Sequence, residues 1–379
     1  MLTQRPLTKS RFKLAVECPA KLNYTGNKAY ANTKNDDEFL KSLAEGGYQV
    51  GEMAKLLYPG GVEVTSKGYE PQLSDTLTLL AQDEATVFEG AVSFEKLFVR
   101  VDVLVKTGNQ LKLVEVKSKS FAPPEDEFFR GARGARGDLR SDVLPYLYDV
   151  AFQTYVVRMA YPHLLVTPYL LLPDKSAVAT LDGLNQMFRI ARLKNDQNRI
   201  QCVPTPHITR QDLGAPILIE LNVEQYVRQI LGYVITVPGQ TGTLQTLAKL
   251  WSEAYAAEQW IDPFVQSQCK KCEFQAPVGD PLKSGLRECW SKALNLSDEQ
   301  LQQPTSLTLW DGRRTKTWLQ QGKYWLADLT LDDLGHREPE TGINRTERQW
   351  MQISGEGLDD KGLRFEKTLA RQTVRLQMV

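Results

Sequence analysis

The segment from Leu113 to Ser120 reads LVEVKSKS and sets Glu115 and Lys117 two residues apart inside an apolar, β-branched run. On an extended strand this spacing puts Leu113, Glu115 and Lys117 on one face, and Val114, Val116 and Ser118 on the other. Just upstream, LFVRVDVLVK places Asp102 on a face with Arg100 and Leu104, and a TGNQ turn joins the two runs. Antiparallel pairing through that turn brings Asp102 near Glu115. Two carboxylates held together repel each other, and a divalent cation between them relieves the repulsion. Oxygen donors select a hard ion, Mg²⁺ or Mn²⁺, over zinc. With Lys117 beside them to orient a water or stabilise a developing phosphorane, these residues are equipped for phosphodiester hydrolysis. The plainer alternative is a solvated salt bridge between Glu115 and Lys117 on an edge strand.

Such a group needs a sheet to hold it. In ATVFEGAVSFEKLFVRVDVLVK-TGNQ-LKLVEVKS the hydrophobic period is two, which predicts three consecutive antiparallel strands. Before them, helical spacing predicts a helix over 8–24 capped at Thr8 or Ser10 and interrupted at Pro19. It predicts another over 36–58 with a break at Gly46-Gly47, and a third over 72–84. After them, FAPPEDEFFRGARGARGDLRSD reads as a loop, VLPYLYDVAFQTYVVRMAY as a helix and HLLVTPYLLLP as a strand. This order implies an α/β fold, a mixed central sheet flanked by helices. The expected division is an N-terminal helical segment (1–70), a core (71–180), a helical insertion (181–260), a cysteine-marked region (261–295) and a Trp-containing extension (296–379).

Four of the five cysteines invite a common reading: Cys18 in ECPAK, Cys269 and Cys272 in CKKCEF, and Cys289 in RECW. Four thiolates suit zinc or an iron–sulfur cluster, and spacing does not separate the two. Cys202 has no partner in the pattern.

Asp102 on one strand, Glu115 and Lys117 in E-x-K on the next, and Gln153 in DVAFQTY together resemble the PD-(D/E)xK nuclease superfamily, in its RecB-like and Cas4-like branch. The resemblance implies a restriction-endonuclease-like core in which the acids bind the metal and the glutamine supports the site. It departs at two points: Val157 stands where the Q-x-x-x-Y pattern has tyrosine, leaving Tyr155 as the nearer aromatic, and no histidine precedes residue 163. Glu52 in GYQVGEMAK, or Glu89 in VFEGAV, is the expected substitute for the N-terminal histidine ligand. The ECP segment with the late cysteines resembles the same branch, which implies a 4Fe–4S cluster on Cys18, Cys269, Cys272 and Cys289, clamping the C-terminal region, with zinc as the alternative.

The implied activity is a Mg²⁺- or Mn²⁺-dependent deoxyribonuclease in bacterial defence or DNA repair, acting alone or with a protein partner. The alternative is a non-cleaving nucleic-acid-binding or scaffold module on the same fold. The chain of 379 residues is 42% hydrophobic and 24% charged with formal net charge zero, so any grip on a polyanion must come from a local patch. Arg130, Arg133, Arg136 and Arg140, interleaved with glycine, are that patch, and Lys119 and Tyr155 are further expected contacts to DNA or RNA. No run approaches the roughly 20 apolar residues of a membrane span, and no signal peptide is legible, which points to the cytoplasm.

Overall fold

The computed structural model describes residues 5–131, 138–193, 199–277, 279–335 and 344–355, with two short pieces at 363–364 and 377–378. The chain forms two compact units, one of Met1–Thr25 with Lys34–Ile261, the other of Gly26–Thr33 with Asp262–Val379.

The first unit begins with a short strand β1 (Leu7–Thr8) that runs straight into helix α1 (Lys9–Glu17). Thr8 caps α1 by accepting from the Arg11 N–H, and Pro19 turns the chain into a 3₁₀ helix over Pro19–Asn23. Helix α2 (Glu38–Leu56) runs unbroken through Gly46 and Gly47, where a break was expected. Each glycine costs about 1 kcal/mol against alanine. The Asp37 cap and the packing of Met53 and Ala54 outweigh that cost. Next come β2 (Val62–Glu63), α3 (Tyr69–Leu80), β3 (Glu84–Phe94), β4 (Leu97–Thr107) and β5 (Gln110–Val116). As the period of two requires, β3, β4 and β5 form an antiparallel meander. Its second turn is the two-residue Gly108-Asn109, where Gly108 supplies the left-handed φ of +58°.

The expected loop after β5 contains a short helix α4 (Glu125–Phe129) that buries Phe128 and Phe129. Helix α5 (Leu144–Ala160) and strand β6 (Leu165–Pro173) follow as predicted. The stretch expected to be a helical insertion is instead mixed. It holds β7 (Phe188–Leu193), β8 (Arg199–Pro204), β9 (Leu218–Asn222), α6 (Glu224–Gly232), β10 (Val234–Val237), β11 (Gln240–Thr243) and α7 (Leu244–Ala256). Strands β7 and β8 pair antiparallel, and Phe188 and Cys202 pack with Met53 and Leu184 in an apolar cluster of their own. Alternation of apolar and polar residues over a few positions, read there as helix, was a strand signal.

The sheet runs β2-β3-β4-β5-β6-β9, with β1 added along β4. It is mixed: β5–β6, β2–β3 and β1–β4 are parallel, the rest antiparallel. One face carries Leu104, Leu111, Leu113 and Leu170 into a core with Phe12 of α1, Val150 of α5 and Trp251 of α7. The other carries Phe88, Val103, Val114 and Leu171 against Ala54 of α2. The rings of Phe12 and Phe152 stack at 4.2 Å and lock α1 on α5. A fully buried phenylalanine contributes about 2–3 kcal/mol.

The second unit contains α8 (Gly285–Leu294), α9 (Thr315–Gln320), α10 (Leu331–Leu334) and α11 (Arg345–Ser354). Trp290 and Trp318 are buried, whereas Trp310 is 41% exposed. Among the described residues, no helix is long and apolar enough to cross a membrane.

Candidate active site

Pairing between β4 and β5 ends at Val103 opposite Val114, one step short of Asp102 and Glu115. β1 takes up the same edge of β4 only at Leu97 and Phe98. Between these two contacts the edge of β4 has no strand partner among the described residues. There the Asp102 side chain replaces a backbone acceptor: the Val116 N–H donates to its Oδ2 at 2.7 Å. Continuing the two registers puts Glu89, Asp102 and Glu115 in one row across three strands. Like charges side by side in a sheet are unfavourable, so such a row demands cations.

Three side chains supply them. Lys9, in the first turn of α1, lies 2.9 Å from Glu115 Oε1, 3.0 Å from Oε2 and 3.9 Å from Asp102 Oδ1. The Lys117 ammonium sits 2.7 Å from Glu115 Oε1 and 2.9 Å from Asp149 Oδ2. Arg100 pairs with Glu89 at 2.9 Å. From α5, Gln153 Nε2 donates to Glu115 Oε2 at 2.7 Å, so the 1% exposed Glu115 is bonded on both oxygen atoms.

The electrostatics separate the two acids. Burial and the neighbouring Glu115 charge push Asp102 up to about 7, against the pull of Lys9. Burial alone would raise Glu115 too, but the ammoniums of Lys9 and Lys117 outweigh it and hold the carboxyl at about 2. Burial pulls Lys117 down, and Glu115 with Asp149 more than reverses this, so the amine holds its proton tightly. Lys9 is raised in the same way by Glu115 and Asp102.

The arrangement fits a hard divalent cation in donor type, and the point between Asp102 and Glu115 already draws a positive charge. Among the described residues, no group of three or more His, Cys, Asp and Glu side chains is placed to hold a metal. Two carboxylates would therefore need water to complete the shell, as is usual for Mg²⁺.

Of the residues expected from sequence, Asp102, Glu115, Lys117 and Gln153 come together. Glu89 stands in the row but is engaged by Arg100. Glu52 does not join them: it lies on α2, which covers the opposite face, and pairs with Lys55 at 2.7 Å. Tyr155 packs edge-on against Phe94 with ring centroids 6.4 Å apart, and Val157 is core. Arg130 donates to Gln229 and lies over the Tyr226 ring. Arg140 forks onto Asp142, which also takes Lys119. These basic groups are thus engaged within the unit, and Arg133 and Arg136 lie outside the described residues. Lys9 and Asp149 were missed. Asp149 precedes Gln153 by one helical turn in DVAFQ, which was the available signal. For Lys9 it was a lysine in the first turn of a helix, where the helix dipole disfavours positive charge. Asp149 Oδ1 and Gln153 Oε1 are buried and have no hydrogen-bond partner among the described residues.

Beside the acids opens a cleft of about 340 Å³ lined by Thr8, Lys9, Tyr69, Gln72, Phe98 and Arg100.

Cys18 ends α1 in the first unit, whereas Cys269, Cys272 and Cys289 belong to the second. Cys269 and Cys289 pack against the same apolar cluster around Trp290 and Leu307. The Gln266 N–H donates to Cys269 Sγ at 3.4 Å, while burial raises that thiol. Cys202 is buried in its own apolar cluster, which pushes its thiol up to about 11. Compared with known proteins, the chain matches no family model and no curated sequence.

Proposed function

We propose that the first unit is a metal-dependent nuclease that hydrolyses DNA phosphodiester bonds, on a core of the restriction-endonuclease-like type. The observation that carries this reading is the convergence of Asp102 and Glu115 on one cation position, next to a second, separately anchored ammonium on Lys117. Asp102 and Glu115 would hold Mg²⁺ or Mn²⁺. When bound, such an ion lowers the pKa of a water and neutralises charge on the scissile phosphate. The protein's own part is preorganisation. Val116 fixes Asp102, and Gln153 fixes Glu115. Asp149 and Glu115 occupy two of the three N–H donors of Lys117, leaving one to meet the attacking water or a phosphate oxygen.

By the resemblance, the cysteines would hold a 4Fe–4S cluster or zinc. Their donor type suits either group, but no grouped ligand set is present among the described residues, and the cleavage chemistry is built without it. Cytoplasmic work on foreign or damaged DNA is the context the same resemblance suggests.

A non-cleaving binding module is the second reading, favoured by the fact that Glu115 is fully bonded by the protein itself. Cleavage of labelled single- and double-stranded DNA with Mg²⁺ or Mn²⁺ decides between the two. The nuclease reading expects metal-dependent products from wild type and a loss of roughly 10²–10³-fold in Lys117→Ala. A folded wild type that yields no products with either metal leaves the binding module.

A further inference from the structure

The row of acids is answered by three cations, and they are not equivalent. Arg100 is tied to Glu89, and Lys117 is held at both ends by Glu115 and Asp149. Among the described residues the Lys9 ammonium has only the carboxylate pair: it bonds both oxygen atoms of Glu115 and reaches Asp102 at 3.9 Å. Its side chain is 24% exposed, and it lines the cleft together with Arg100, whose buried Nε lacks a hydrogen-bond partner among the described residues.

Carboxylate oxygens bind Mg²⁺ at about 2.1 Å, closer than the ammonium stands to either acid. A divalent ion and Lys9 thus compete for the same oxygen atoms. Resting on the nuclease reading, we propose that Lys9 is a displaceable internal cation. It partly offsets the charge of Asp102 and Glu115 in the metal-free protein and yields its place to a divalent ion. Its ammonium then turns to the adjoining cleft, where it and Arg100 bind a phosphate of the nucleic-acid strand. The acid pair thereby has a cation beside it in both states. Without metal the acids are held by Lys9. With metal, the lysine is free for the polyanion and the cleft gains a positive charge only when the centre is loaded.

The lysine stem makes this exchange cheap. It springs from the first turn of α1, whose position is set by the Thr8 cap and the Phe12–Phe152 stack, so the ammonium moves while the helix stays. Lys117 is less free to move, because its departure would leave Asp149, which is 2% exposed, with only the longer 3.8 Å ion pair to Lys13 among the described residues.

Direct Mn²⁺ binding, followed by electron paramagnetic resonance without nucleic acid, tests the first half. Lys9→Met should bind Mn²⁺ about tenfold or more tightly than wild type, because a competing charge is gone. Lys9→Arg should stay close to wild type, and Asp102→Asn should bind weakly. Melting temperatures provide a second readout: Mn²⁺ should raise that of Lys9→Met more than that of wild type. Equal or weaker Mn²⁺ binding by a folded Lys9→Met, with normal binding by wild type, overturns this inference and leaves the nuclease reading standing. Mn²⁺ binding by neither removes both. For the second half, anisotropy of a fluorescein-labelled single-stranded oligonucleotide should show Mn²⁺ tightening its binding to wild type severalfold. Lys9→Met should lack that gain, and an undiminished gain in it overturns the phosphate contact.

Discussion

Asp102 and Glu115 are the same chemistry with opposite tuning. Glu115 is surrounded by donors, whereas Asp102 has one backbone N–H, a distant ammonium and an acidic neighbour. The sign of the pH effect follows. Asp102 holds its proton more tightly folded (about 7) than its ordinary value of 3.8. It therefore adds stability that is complete below that ordinary value and is lost as pH rises towards 7. Asp102→Asn keeps an acceptor for Val116 and removes the titration. In EDTA, the stability of the variant relative to wild type should rise by about 2 kcal/mol between about pH 4 and pH 8, roughly half the full linkage figure because the carboxyl keeps contact with water. Urea midpoints across that window measure it, and a constant difference between the two proteins refutes it. Glu115 behaves in the opposite way: its contribution is present at neutral pH and is lost only as pH falls towards 2.

Among the elements, α3 holds one wall of the cleft. Its Thr76 is fully buried, accepts from the Ala91 N–H at 2.8 Å and donates to the Gln72 carbonyl. Ala91 lies in β3 opposite Arg100, and Thr76 gives that outer-edge N–H its partner. Thr76→Val keeps the shape and strands the N–H, so it should cost about 1–3 kcal/mol in thermal or denaturant unfolding. A change below the error of such measurements would show that α3 is not pinned through this bond. The end of the β4–β5 ladder matters in the same way. Had pairing continued two steps further, to Val101 opposite Val116, the backbone would have satisfied Val116 and left Asp102 without its anchor.

For the whole molecule, two measurements report on bound metal. If Asp102 and Glu115 hold a divalent ion, Mn²⁺ at a hundredfold excess over its dissociation constant should stabilise the protein by about 2.7 kcal/mol. That gain should vanish in Glu115→Gln. An unchanged melting temperature in Mn²⁺ would argue against a metal at this site. The cysteines call for a different measurement. Anaerobically purified protein carrying a 4Fe–4S cluster should be brown, with about four irons per chain. A colourless protein with about one zinc would assign the thiols to a structural zinc site. A protein with neither metal would leave the cysteines as ordinary thiols.

Much of the centre is legible in the sequence because its rules are local. Strand alternation puts Glu115 and Lys117 on one face and a two-residue turn sets Asp102 opposite Glu115, whereas the apolar pattern of α5 gives only the helix, and Gln153 on it was marked by the family resemblance. The insertion was misread because short apolar–polar alternations fit helix and strand alike until a partner strand and a buried cluster choose between them. Lys9 lies 106 residues from Glu115, and only its place in the first turn of a helix sets it apart from a solvated lysine in its own segment. The same holds for Glu52 in reverse: a suitable acid on a suitable helix, placed by packing on the wrong face. The sequence by itself determined which acids and which lysine share a strand face, since backbone period and turn length need no distant partner. Only the tertiary structure decided which cation meets them and where the strands part, because those depend on how α1 and α5 pack across the sheet.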